Sequence, residues 1–207
     1  MPMATTSLPR TQMIAVPDWP YGPYTIDDLD ALPDEGVRRE LVNGWIIVAP
    51  WPSTFNDHAA KKLERALEDA AAGAAADVYI KGPLDIDTGP SIRVPDIVVV
   101  GGEAARAARA RRARAYDAAD VLLVVEIVSP RSGSEQHDRV DKVFEYARAG
   151  IPQYWLVDLE PEPCIVIRRL GDEGRYHVTG SADRGSALKI DEPFPFGFGV
   201  ASLVDRR

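Results

Sequence analysis

The feature that most constrains this chain is Val121-Leu-Leu-Val-Val-Glu-Ile-Val128, an apolar run with a single carboxylate, Glu126, set into it. Apolar residues at successive positions, with no alternation, describe a strand covered on both faces. A second run of this kind, Ile97 to Val100, follows directly on Pro95-Asp96. Burying a carboxylate is costly unless it is paired or ligates a metal, so each of these acidic positions requires a partner. Two such costs on neighbouring strands point to one shared cation. Hard oxygen ligands select magnesium or manganese over zinc, and the chain lacks the Cys and His clusters that zinc prefers. The competing reading pairs each carboxylate with an arginine such as Arg93, as a structural salt bridge.

The elements around these strands follow from local signals. Thr25 and Asp28 form a capping-box variant that opens a short helix through Leu32. Val37 to Val42, Asn43-Gly44 and Trp45 to Ala49 predict an antiparallel hairpin, because Asn-Gly supplies the positive φ angles of a type I′ turn. Leu63 and Leu67 among alanines and charges give Asn56 to Ala76 helical spacing with a narrow apolar face. Strands are expected at 77–81, 84–87 and 93–100. A helix from Gln136 to Ala149, stopped by Gly150, leads to a strand over Gln153 to Asp158. Strand, helix and strand across 121–158 make a crossover unit, which sets its two strands parallel or close in one sheet. Cys164 to Leu170, Tyr176 to Thr179 and Ala187 to Ile190 read as a C-terminal strand meander.

The fold class is therefore α/β or α+β, with a mixed central sheet flanked by helices. A chain of 207 residues suits one such domain, expected over 24–207, after an irregular proline-rich arm over 1–23. Tyr154 and Trp155 begin a strand and read as core rather than as a base-stacking pair. The single cysteine, Cys164, reads as a small buried hydrophobe. With no disulfide framework, signal peptide or apolar segment of membrane-spanning length, a cytoplasmic protein is expected. The net charge of −8 argues against broad electrostatic capture of nucleic acid. That mean hides Arg106, Arg109, Arg111, Arg112 and Arg114, a local positive run that is either a solvated helix or a phosphate contact.

Lys142 lies sixteen residues beyond Glu126, on the helix of the crossover, which can bring its ammonium back over the strand end. Asp138, Lys142 and Tyr146 follow at intervals of four, so a surface ion pair between Asp138 and Lys142 is the plain alternative. His58, near the start of the long helix, can reach a substrate phosphate or orient water; a lone histidine there is otherwise solvent-facing. Ser129 and Asp138 are candidates for orienting Glu126 and Lys142.

The succession Arg39 to Gly44, Val94 to Val100, Val125 to Pro130, Asp138 to Lys142 and Tyr146 to Asp158 resembles the Uma-two family of restriction-endonuclease-like proteins, across roughly residues 24 to 160. Each fragment is weak by itself, and five in one order are specific. The resemblance implies the PD-(D/E)XK nuclease fold, with Asp96 and Glu126 as metal ligands. Val128 stands where the lysine of a Glu-x-Lys motif would be, and Lys142 is the position that matches a lysine displaced to the next helix. Glu40 matches the early acidic position that supports the metal directly or through water.

These readings give a magnesium- or manganese-dependent endonuclease with DNA as the expected substrate. Asp96, Glu126 and the Ile127 carbonyl hold the ion, Glu40 supports it, and Lys142 positions or deprotonates the nucleophile. Cutting both strands of a duplex calls for two sites, so a homodimer is one expectation, although no segment marks an interface. The alternative is a non-catalytic nucleic-acid- or protein-binding module that retains the nuclease fold.

Overall fold

Asn43 and Gly44 take φ angles of 49° and 81°, so the chain reverses there in the expected hairpin. The computed structural model describes residues 22–33, 35–130, 132 and 134–205. The arm expected over 1–23 therefore lies, apart from Gly22 and Pro23, outside the described residues. In chain order the elements begin with α1 (Ile26–Asp30), β1 (Arg38–Val42), β2 (Trp45–Ala49), α2 (Thr54–Gly73), β3 (Val78–Lys81), β4 (Ile86–Asp87), β5 (Ser91–Arg93) and β6 (Ile97–Gly101). They continue with α3 (Gly102–Ala110), β7 (Tyr116–Asp117), β8 (Val121–Ile127), α4 (Ser134–Gln136), a π turn (His137–Asp141) and α5 (Lys142–Arg148). The chain ends in β9 (Gln153–Asp158), β10 (Cys164–Leu170), β11 (Tyr176–Asp183), β12 (Ala187–Ile190) and β13 (Phe196–Gly199).

The main sheet has the order β11-β10-β9-β8-β6-β3. The two apolar runs sit side by side at its centre, with Ile97 opposite Val125, and the crossover makes β8 and β9 parallel. Every other pairing in this sheet is antiparallel, which makes it mixed. One face is covered by α2, whose Ala59, Leu63 and Leu67 are fully buried against Val99, Leu123 and Trp155. Each leucine removed from water in this way contributes about 1.5–3 kcal/mol. Val98, Val124 and Tyr154 face the other side, where Tyr146 and Ile151 pack on them. Tyr154 and Trp155 are both core, as expected.

The expected strand over 93–100 is two strands. Arg93 ends β5 in a second sheet of order β2-β1-β5-β4-β7, and Ile97 begins β6 in the main one. Pro95 has no N–H to give to a ladder, and the Val94 amide donates to the Glu40 carboxylate at 3.2 Å instead of to a strand. The chain changes sheets at this point, immediately before Asp96.

Smaller departures have equally local causes. The long helix starts at Thr54 because the Ser53 hydroxyl accepts the Asn56 amide, two residues before the expected start. Thr25 and Asp28 form a complete capping box on α1. β11 runs on to Asp183, and β13 pairs with β12 in a small sheet of its own, although Phe196-Gly-Phe-Gly199 gave no strand signal. Cys164 is half-buried at the head of β10 rather than buried. No helix among the described residues is long and apolar enough to cross a membrane.

Candidate active site

Asp96 is placed by the change of sheets and by a close approach from behind. A Cβ on Gly82 would stand 1.7 Å from the Asp96 carbonyl oxygen, so only glycine fits against this turn. Asp96 Oδ2 accepts the Ile127 amide at 2.7 Å, which ties the loop before β6 to the end of β8. Arg38 approaches Oδ1 at 3.8 Å. Glu126 alternates with Leu123, Val125 and Ile127 and so points away from α2, toward the side covered by α5.

On that side the π turn hands over to α5 and aims one row of side chains at the strand. Lys142 Nζ lies 2.8 Å from Glu126 Oε1 and 2.9 Å from Asp138 Oδ1. The Tyr146 hydroxyl donates to the same Glu126 oxygen at 3.0 Å. The Asp138 and Lys142 pair expected at the surface does form, but within the core: both side chains are 6% exposed. Because the crossover seats α5 on the sheet, the face bearing these charges is the covered one.

The charges are poorly balanced. Burial pushes the Asp96 carboxyl up to about 6, and the negative charge of Glu126 adds to this. Burial likewise carries Glu126 up to about 7, against the pull of Lys142. Asp138 is also raised by burial, with Lys142 opposing. Burial disfavours the charged form of Lys142, but Glu126, Glu40 and Asp138 outweigh it, and the pKa rises above that of an ordinary lysine. Lys142 is accordingly a fixed cation at neutral pH.

Glu40 belongs to a second set of contacts. Its Oε2 accepts from Arg93 at 3.0 Å, and Arg93 reaches Glu145 on α5 at 2.5 Å and 2.9 Å. Burial raises the Glu40 carboxyl, yet Lys142 and Arg93 more than offset it and hold it below the usual range. Arg93 thus faces Glu40 and Glu145, not Asp96 or Glu126. Ser129 accepts from Asn56 of α2 at 2.8 Å, and His58 is exposed on the same helix. Asp96, Glu126, Lys142 and Asp138 are brought together, the Ile127 amide joins them and Glu40 adjoins, whereas His58 and Ser129 stand apart. Sequence reasoning gave no role to Tyr146, Glu145 or Asn56. The spacing of four from Lys142 was the available signal for Tyr146; the other two are defined only by the tertiary fold.

A buried and a part-buried carboxylate, both raised in pKa by loss of water and one of them further by the other, suit a divalent cation, which would replace the proton they otherwise favour. Among the described residues no three His, Cys, Asp or Glu side chains form a cage. Asp96, Glu126 and a backbone carbonyl would then be completed by water and substrate, as suits magnesium and its retained waters.

A mixed sheet with helices on both faces, and paired carboxylates at the ends of its central strands, defines a nuclease-like fold. The chain belongs to the Uma2 family, described as putative restriction endonuclease, whose model matches residues 26–203. A crystal structure of a putative nuclease belonging to DUF820 from Anabaena variabilis superposes with a TM-score of 0.58 at 16% identity, covering 83% of this chain and 89% of that one. No curated protein matches the sequence.

Proposed function

We propose that the protein hydrolyses phosphodiester bonds in nucleic acid, DNA first among them, with magnesium or manganese held by Asp96, Glu126 and the Ile127 carbonyl. The observation that carries this reading is the gathering of the buried Glu126 and the part-buried Asp96, which Glu126 pushes upward, around one buried ammonium 2.8 Å from Glu126. The buried Arg93 guanidinium helps hold Glu40 below the usual carboxylate range, whereas beside Lys142 the carboxyls of Glu126, Asp138 and Asp96 are all raised. A site that must accept a metal ion needs such a surplus of negative charge.

A divalent ion held there would supply Lewis-acid activation of the attacking water and of the phosphoryl oxygens. Lys142, kept protonated, is suited to positioning the nucleophile and not to taking a proton from it, which narrows the two roles open to it from the sequence. Tyr146 and Asp138 position that ammonium and Glu126. Overall, the water oxygen bonds to phosphorus, the ester bond breaks, and the water protons leave with the products: a phosphate end and a hydroxyl end.

The test is cleavage of plasmid and single-stranded DNA with magnesium, manganese or chelator, using wild type, Glu126→Gln and Lys142→Met. Cleavage that survives chelation, or is equal in the variants, refutes the assignment. One observation favours a second reading: Glu126 Oε1 is already taken by Lys142 and Tyr146, as in a closed, non-catalytic binding module. Weak magnesium binding by calorimetry with no cleavage of DNA or RNA would support it. Sedimentation of the protein with and without a DNA duplex tests the homodimer that double-strand cutting calls for.

A further inference from the structure

The five arginines between Arg106 and Arg114 take no part in the site, and the structure divides their roles. Arg106 is tied to Asp77 at 2.7 Å and 2.9 Å, and Arg114 holds both Asp30 and Asp85. Arg109 stands over the Tyr79 ring, 5.1 Å from its centroid, and has no carboxylate partner among the described residues. The Arg112 guanidinium makes no ion pair or hydrogen bond among the described residues. In a chain with 32 acidic and 24 basic residues, cations left without carboxylates are conspicuous.

Arg109, Arg112 and Arg114 line one cleft of about 480 Å³, together with Leu84, Val94 and Tyr116. Asp85 is the single carboxylate in its wall, and Arg114 already engages it. Arg112 adopts a φ of 53°, in the left-handed region that glycine ordinarily fills where a helix ends, as α3 does here. A long cationic side chain is therefore kept at a position with a steric cost.

The cleft adjoins the candidate active site. Val94, in its wall, gives its amide to Glu40, and Pro83, also in the wall, follows the glycine that abuts Asp96. Arg38 lies between the two: it is 3.8 Å from Asp96, its charge also acts on Asp85, and its buried Nε has no hydrogen-bond partner among the described residues. Positive charge thus continues from the paired carboxylates into the cleft.

We propose that this cleft is a backbone-phosphate subsite, in which Arg109 and Arg112 hold a phosphate flanking the one to be cut and Arg38 bridges the two positions. The apolar residues of the cleft fit the adjoining sugar and base. This subsite rests on the nucleic-acid substrate proposed above. It also explains how a chain of net charge −8 can engage a polyanion, through a confined track instead of a broad basic surface.

The test is fluorescence anisotropy of a labelled oligonucleotide, in DNA and RNA versions, without magnesium, between about 50 and 200 mM salt. Relative to wild type, Arg109→Gln/Arg112→Gln should bind about tenfold more weakly, with a log affinity against log salt slope shallower by about 2. If that pair proves less stable, Arg112→Glu alone serves, since its guanidinium has no partner to lose. Equal affinity and slope in variant and wild type, or no binding of either oligonucleotide by wild type, overturns the subsite. Cleavage is scored separately. A protein that binds through these arginines without cutting loses the hydrolase reading and keeps the subsite; one that cuts while the arginines prove neutral does the reverse.

Discussion

The molecule buries charge in two neighbouring places and treats it differently. Around Arg93 a guanidinium gives its donors to Glu40 and Glu145, Thr88 takes up the other Glu145 oxygen, and Glu40 is held below the usual carboxylate range. Around Lys142 one ammonium meets Glu126 and Asp138 while Asp96 stands near, and all three carboxyls are pushed upward. The first cluster is satisfied and joins the second sheet to α5. The second is left short of positive charge. Placed side by side, they differ as a clamp differs from the proposed site: pairing that lowers a carboxylate pKa holds the fold together, and incomplete pairing is what a bound cation would complete.

The hardest test of this contrast is Arg93→Ala, which strands two carboxylates in the clamp and should cost about 3–5 kcal/mol in urea unfolding. A loss near zero would mean that the clamp is as dispensable as the site. Glu126→Gln should behave oppositely: without metal its stability matches or exceeds wild type, while phosphodiester cleavage falls about 100-fold or more. Loss of stability comparable to Arg93→Ala would erase the distinction.

pH sharpens it further. Asp96 and Glu126 have folded-state pKa values of about 6 and about 7, above ordinary carboxylate values, so the folded state binds more protons than the unfolded one across that interval. Metal-free stability should then fall as pH rises from about 4 to about 7. Added magnesium should stabilise more at the upper end of this window, where it no longer competes with protons. A flat or rising metal-free profile contradicts the strained pair. The smallest effect is expected from Tyr146→Phe, which removes one hydrogen bond to Glu126 and should cost about 1 kcal/mol by thermal unfolding.

What could be read in advance divides along the same line. Glu126 declares itself because a carboxylate in an unalternating apolar run has few structural uses, and the hairpin declares itself through Asn43-Gly44. Both signals are local. The break at Pro95 was visible as a residue but not as a change of sheet, because nothing nearby states which ladder Arg93 joins. The clamp was illegible for the same reason: Glu40 and Glu145 stand 53 and 52 residues from Arg93. Lys142 was recoverable through family resemblance, whereas helical spacing alone left it on the surface. Which face of α5 is covered depends on how the crossover docks.

The π turn over His137–Asp141 has a bearing on how the lysine came to be aimed at this strand. A π turn holds one residue more than an α turn, and one residue advances a helix by about 100° of rotation. It therefore sets the angular phase of everything that follows. Removing a single residue there would leave the composition of the site intact and swing Lys142 and Tyr146 together, by more than a quarter of a circle, off Glu126. A single added residue at such a turn is thus enough to bring a helix face into phase with a carboxylate on the strand below it.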